Sequence, residues 1–345
     1  FTTALIGLMT KKFSSQVIFG LLALALSGNT VWFESLLAPM LLLVYWALKS
    51  KKFVIAGIFF GLALATKQTA AYMLPVLALP LLKQKPKKIV IFLLSIIAPL
   101  VVLVLWLFYK DLLVDFWRWG VQFVFVKTSE TAGENAYVLW PTIKQLILTG
   151  SLVLLPLIFF RNLAYVWMLF SLLFVVPRCD YFHLTPFIAF FALAIGAAKV
   201  SRKTLVMVTV FCVIVFLVLT KSSLNRDHSF LDKNTLMVSD YVRRNLFGKT
   251  IFFLNNYDQV YFLAKKMPAV KPWVPQLPRY FEYYKESFLM DIKRDQPEII
   301  IATPYVDKSV DGLGAYRPKG VLEYIESNYN MIHSFPEGTK VYKSL

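Results

Sequence analysis

Glu34, Lys67 and the run Arg178-Cys179-Asp180-Tyr181-Phe182-His183 place ionisable side chains at the mouths of long apolar stretches. Each residue type there has a definite chemistry. A carboxylate such as Glu34 orients an acceptor or helps hold a divalent cation, and the Lys67 ammonium pairs with a phosphate as a point charge. Arg178 offers a planar fork for bidentate phosphate contact, and His183, one of three histidines, exchanges a proton near neutral pH. Each also has an ordinary use: a loop acid solvating a helix end at Glu34, a snorkelling lysine at Lys67, a polar interhelical loop at 178–183. No Ser-His-Asp order or metal-triad spacing accompanies them. On residue type alone both uses of each residue stay open.

The elements that must position these groups are apolar runs at 1–10, 16–28, 36–48, 53–65, 68–82, 89–109, 141–160, 162–177, 184–200 and 204–221. At 58% apolar residues the chain lies above the globular norm of roughly 45–50%. A straight membrane crossing needs about 20 residues. The runs at 89–109, 141–160 and 204–221 approach that, whereas those at 16–28, 36–48, 53–65 and 68–82 are shorter. Glu34 lies in the polar turn between two short runs, and Thr66, Gln68 and Thr69 surround Lys67 in another. The aromatic stretch with Phe116, Trp117, Trp119, Phe123 and Phe125 suits an interfacial helix.

Charge then orients the runs. Residues 1–221 hold 20 basic and six acidic groups, and 222–345 hold 17 and 14. With the apolar runs read as crossings, Glu34, Asp111, Asp115, Glu130, Glu134 and Asp180 all fall on one side. Thirteen basic residues fall on the other, in clusters such as Lys49/Lys51/Lys52 and Lys83/Lys85/Lys87/Lys88. Short cytoplasmic loops keep Lys and Arg, so the acids are expected to face outward. Basic residues interleaved with apolar runs are topology rather than the solvated basic face of a nucleic-acid binder, and no nucleic-acid partner is expected.

After Lys221 the pattern turns globular. Helices are predicted over 232–246, 257–266, 283–294 and 320–328, with strands over 250–254, 298–302 and 339–343. No glycine-rich phosphate loop or paired Cys/His spacing appears there. The predicted fold class is therefore mainly α: a polytopic membrane helical bundle over 1–221, followed by a small extracytoplasmic α/β domain over 222–345.

The stretch NTVWFESLLAPMLLLVYWALKSKKFVIAGIFFGLALATKQTAAYMLPVLALPLL resembles the middle of GT-C superfamily glycosyltransferases, the group of protein O-mannosyltransferases and bacterial aminoarabinose transferases. In them a small-residue GLALATK hairpin follows an acid-bearing outer turn. The RCDYFHLTP loop is similar to their last outer loops, and a carboxy-terminal α/β domain ending in YIESNY…VY is frequent among bacterial members. The resemblance implies an enzyme of the plasma membrane that transfers a sugar, of hexosyl or mannosyl type, on the outer side. The donor is a polyprenyl-phosphate sugar and the acceptor a lipid, glycan or protein. A divalent cation, Mg or Mn, often assists. On this resemblance Glu34, Lys67, Arg178 and His183 match site-lining positions. Glu34 and His183 are the candidate catalytic residues, Lys67 and Arg178, with Asp180, Tyr181 and Trp119 from the residues themselves, the candidate substrate-binding ones, and Glu34 the candidate metal ligand. The family's main acid sits in a first outer loop, so we expect a longer protein with such a loop upstream of Phe1.

A transporter or lipid-linked-sugar flippase is the alternative of a different class. Such proteins carry inverted repeats with Gly/Pro-broken segments in corresponding halves, and no such repeat is visible. An assembly scaffold is the third reading.

Overall fold

The computed structural model describes residues 1–27, 33–127, 150, 162–175, 181–198, 201–224, 233–246, 250–254, 258–270, 288–303, 305–306, 315–316 and 320–345. They fall into two compact units, one from Phe1–Val126 with Tyr137–Arg226 and the other from Lys127–Ala136 with Asp227–Leu345.

The first unit is helical: α1 (Thr2–Thr10), α2 (Phe13–Ser27), α3 (Phe33–Lys49), α4 (Phe53–Thr66), α5 (Leu74–Leu81), α6 (Pro86–Tyr109), α7 (Leu163–Ser171), α8 (Thr185–Ala197) and α9 (Arg202–Leu224). A 3-10 turn, Gln68–Met73, joins α4 to α5, a π-helix covers Phe116–Lys127, and a second 3-10 turn, Tyr181–Leu184, leads into α8. Proline in the first turn of α8 suits its start, since Pro has no N–H to leave unpaired there. One hydrophobic core runs through α2, α3, α4, α7 and α8.

The expected polytopic membrane bundle is not what the described residues form. Among them only α6, at 24 residues, is both long and apolar enough to cross a membrane. The helices Phe13–Leu26, Phe53–Thr66, Leu163–Val175 and Thr185–Ala197 are apolar but no longer than 17 residues. At about 1.5 Å per residue they fall short of a hydrocarbon core of roughly 30 Å. Helix α8 shows why the hydropathy of these runs overstates the count. Every residue from Thr185 to Gly196 is buried, so it is apolar on all sides because other helices surround it. Helix α6 is the opposite case, burying only Phe92, Ile96 and Leu107. The run at 141–160 lies, apart from Gly150, outside the described residues.

Helices α4 and α6 lie side by side and parallel. A Cβ on Gly57 would come 2.5 Å from the Phe92 carbonyl oxygen, and one on Gly61 would come 2.5 Å from Pro99 Cγ. Advancing four residues along α4 thus advances the contact along α6 in the same direction. The two glycines remove the side chains that would hold the backbones apart. At the start of the pair, Lys88 Nζ stands 5.4 Å from the Phe53 ring centre.

In the second unit α10 (Lys233–Asn245) precedes β1 (Thr250–Leu254), α11 (Asp258–Leu263) and β2 (Met267–Pro268). Helix α12 (288–295), β3 (Ile299–Ala302), β4 (Tyr305–Val306), β5 (Ala315–Tyr316), α13 (Val321–Asn328), β6 (Tyr329–Ser334) and β7 (Lys340–Ser344) follow. The five-stranded sheet has the order β2-β1-β3-β7-β6, with β1 parallel to β2 and β3 and with β7 antiparallel to β3 and β6. Ile251, Phe253, Ile299 and Ile301 pack on one face with Val238 and Val242 of α10. Phe252, Leu254 and Ile300 pack on the other with Phe288, Ile292, Val321 and Ile325. Covering on both faces is why β1 and β3 read as unbroken apolar runs. The helix predicted over 320–328 ends where α13 does, but the sequence pattern predicts no strand at β6.

Candidate functional site

Three chain segments far apart in sequence converge at one end of the helical unit. Glu34 occupies the first turn of α3, where the aligned peptide dipoles favour a negative charge. Lys67 caps the C-terminus of α4 with extended backbone, φ −157° and ψ 123°. That break turns its side chain away from the helical path and opens the Gln68–Met73 turn. His183 stands on the 3-10 turn before α8. Thr66 Oγ1 reaches Met40 Sδ of α3 at 3.7 Å and donates to the Leu62 carbonyl at 2.8 Å, tying α4 to α3 just behind the cluster.

Glu34 Oε1 accepts from both Lys67 Nζ and His183 Nδ1. Glu34 is 0% exposed, while the side chains of Lys67 and His183 are 23% and 13% exposed. Glu34 Oε2 is buried and has no hydrogen-bond partner among the described residues. Burial pushes the Glu34 carboxyl up, but the hydrogen bonds from His183 and Lys67 and their charges outweigh it and hold the group below its ordinary value. The carboxylate is therefore ionised at neutral pH and can only accept.

That fixes a proton on His183 Nδ1. Lys67 Nζ lies 3.4 Å from the same nitrogen. An ammonium only donates and a protonated ring nitrogen cannot accept, so the two donors meet at the shared Glu34 oxygen and not with each other. In a neutral imidazole held this way, Nε2 carries the basic lone pair. The arrangement follows the logic by which a buried carboxylate fixes the tautomer of a catalytic histidine.

The surrounding turn adds two polar groups that sequence reading did not assign. Thr69 Oγ1 is buried without a hydrogen-bond partner among the described residues, and Gln68 Nε2 donates to the Gly120 carbonyl at 3.4 Å. The only sequence signal for either is the polar run Thr66–Thr69 directly after an apolar helix. Gly120 belongs to the π-helix that also carries Trp119, so the backbone next to Trp119 is tied to the Lys67 turn. The Tyr181 backbone lies in the His183 turn. Arg178 and Asp180, and the side chains of Trp119 and Tyr181, lie outside the described residues.

As a divalent-cation site the described donors fit poorly. A hard cation takes about six or more oxygen ligands. Here Glu34 supplies the one carboxylate, and its Oε1 faces an ammonium. Among the described residues no group of three His, Cys, Asp or Glu side chains converges. Comparison with protein-family models yields no match, and comparison with curated proteins yields none either.

Proposed function

We propose that the Glu34–Lys67–His183 cluster is the transfer site of a membrane glycosyltransferase that moves a sugar from a polyprenyl-phosphate donor to an acceptor hydroxyl on a lipid, glycan or protein. The observation that carries this reading is the fully buried carboxylate shared by Lys67 and His183, whose second oxygen has no partner among the described residues. The resemblance of the 29–82 stretch and of the RCDYFHLTP loop to GT-C enzymes supplies the substrate class. A plasma-membrane location with the cluster facing outward belongs to the same proposal, supported by α6, the one described helix long and apolar enough to cross a membrane.

Each residue then has one task. His183 Nε2 takes the proton of the acceptor hydroxyl, and Glu34 holds the imidazole and stabilises the imidazolium that forms. The acceptor oxygen bonds to the anomeric carbon as the carbon–oxygen bond to the phosphate breaks. The electron pair leaves with the lipid phosphate, whose added charge Lys67 offsets, with Arg178 as the second candidate. No step requires a metal. The outward apolar flank of α6, including Leu94, Val102 and Leu105, gives a polyprenyl chain a surface to lie along.

The test is transfer of radiolabelled sugar from a polyprenyl-phosphate donor by full-length protein in membranes. Loss of the base in His183→Ala lowers transfer by about 10²–10⁴-fold, and Lys67→Ala lowers it as well. Wild-type transfer by both variants overturns the assignment. So does movement of the lipid-linked sugar across the bilayer with no covalent transfer.

A further inference from the structure

We propose that the helix ends opposite the cluster form a docking surface for the headgroups of anionic phospholipids. The geometry of α3, α4 and α6 brings two lysine groups together there. Helix α3 runs from Glu34 to Lys49, and α4 starts after Lys52 and returns to Lys67. Lys49, Lys51 and Lys52 therefore lie at the end away from the cluster. Because α6 runs parallel to α4, with Gly57 against Phe92 and Lys88 over the Phe53 ring, Lys83, Lys85, Lys87 and Lys88 come to the same end. Six of the seven are exposed and Lys88 is half-buried. Lys52 Nζ also stands 4.6 Å from the Trp46 ring centre.

This concentration of charge is uncompensated locally. No acidic residue occurs between Glu34 and Asp111, and no carboxylate of a described residue pairs with any of the seven. Seven like charges at one end repel one another, and an anionic surface relieves that repulsion. The occupant follows from what continues the patch. Past Lys88 the outward side of α6 carries Val90, Leu93, Leu94 and Ile97, each at least 50% exposed. A nucleic acid or acidic peptide would leave those side chains in water. A bilayer takes both, with phosphates on the ammoniums and acyl chains on α6. The group contains lysines alone, and the point charge of an ammonium suits a mobile headgroup without the fixed fork that base or phosphopeptide readout exploits.

The surface and the transfer cluster share no residue, and the proposal does not rest on sugar transfer. Purified full-length chain in neutral detergent is titrated with mixed micelles of phosphatidylglycerol, of phosphatidylcholine, and with a duplex oligonucleotide, with no sugar donor present. Phosphatidylglycerol binds more tightly than phosphatidylcholine, and the preference shrinks as salt rises. The variant K83Q/K85Q/K87Q/K88Q lowers the phosphatidylglycerol affinity by about a hundredfold or more, K49Q/K51Q/K52Q lowers it less, and the corresponding arginine variants retain it. Equal affinity for the two lipids overturns the proposal, as does wild-type affinity in both glutamine variants. Tighter binding of the oligonucleotide than of phosphatidylglycerol overturns it too.

Discussion

The two ends of α3 and α4 hold charge in opposite ways. At one end, Glu34 is fully buried and its Oε1 takes both a lysine and a histidine. At the other, lysines of the α3–α4 and α5–α6 turns stand mostly exposed with no acid in the intervening sequence. Burial explains the difference. An ionised carboxylate out of water is tolerated only when paired and hydrogen-bonded, so its partners are forced into place. An exposed ammonium keeps its hydration, needs no partner to fold, and remains available to bind one. The buried end is thus organised for chemistry on something small, and the exposed end for adhesion to something broad.

Removing one charge at the buried end exposes that contrast most sharply. Lys67→Met leaves a buried carboxylate short of a cation and is expected to destabilise the helical unit by about 3–5 kcal/mol, read from denaturant unfolding of the full chain. Adding Glu34→Gln to it recovers part of the loss, so the double variant is more stable than the sum of the singles predicts. Additive losses would mean that the two side chains do not act as a pair.

A smaller loss is expected where the two ends depend on the same packing. Gly57→Ala drives a Cβ to 2.5 Å from the Phe92 carbonyl oxygen and 2.5 Å from Ser95 Cβ, forcing α4 and α6 apart. Overpacking of this kind costs about 1–3 kcal/mol, against a gain of at most about 1 kcal/mol in helix propensity. The melting temperature falls, and phosphatidylglycerol binding weakens with it because the two lysine groups separate. An unchanged melting temperature would show that the helices are not in the described register.

The pH dependence has a fixed sign. The Glu34 carboxyl is held below its ordinary value of 4.5 in the folded chain, so over that range the unfolded chain binds more protons. Its contribution to stability is present in full above the unfolded value and is lost as pH falls through the folded one. Unfolding followed from neutral to acid pH therefore shows a loss beginning near the ordinary carboxylate range, and Glu34→Gln flattens that part of the profile. A Glu34→Gln profile identical in slope to wild type would contradict it.

The smallest effect belongs to the exposed end. K83Q/K85Q/K87Q/K88Q removes four positive charges yet changes unfolding free energy by about 0.5 kcal/mol or less per site, because none of these side chains pairs with a buried charge. The same denaturant curves check it. A loss comparable to that of Lys67→Met would erase the distinction between the ends.

How much of this is legible in the chain itself follows from the same physics. Glu34, Lys67 and His183 stand out one by one, because an ionisable residue beside an apolar run is conspicuous. Their meeting is not legible, since Glu34 and His183 are 149 positions apart and no local pattern records which helix ends share a vertex. The expectation of many crossings failed for a related reason. Hydropathy reports that a segment leaves water but not whether lipid or protein receives it, so the enclosed α8 and the outward-facing α6 look alike in sequence. The strands at 250–254 and 299–302 are readable from their β-branched and aromatic runs. Strand β6 is not, because Tyr329 follows α13 without a turn residue.

The most direct measurement is single-turnover sugar transfer in neutral-lipid membranes by full-length protein carrying Glu34→Gln, set beside K83Q/K85Q/K87Q/K88Q. The glutamine amide oxygen can still accept from Lys67 and His183, so the fold is kept while the charge that stabilises the imidazolium is gone. Transfer is expected to fall by about 10²–10⁴-fold in Glu34→Gln and to stay at the wild-type rate in the lysine variant. Wild-type transfer by a folded Glu34→Gln protein would contradict the central claim that the buried cluster does the chemistry.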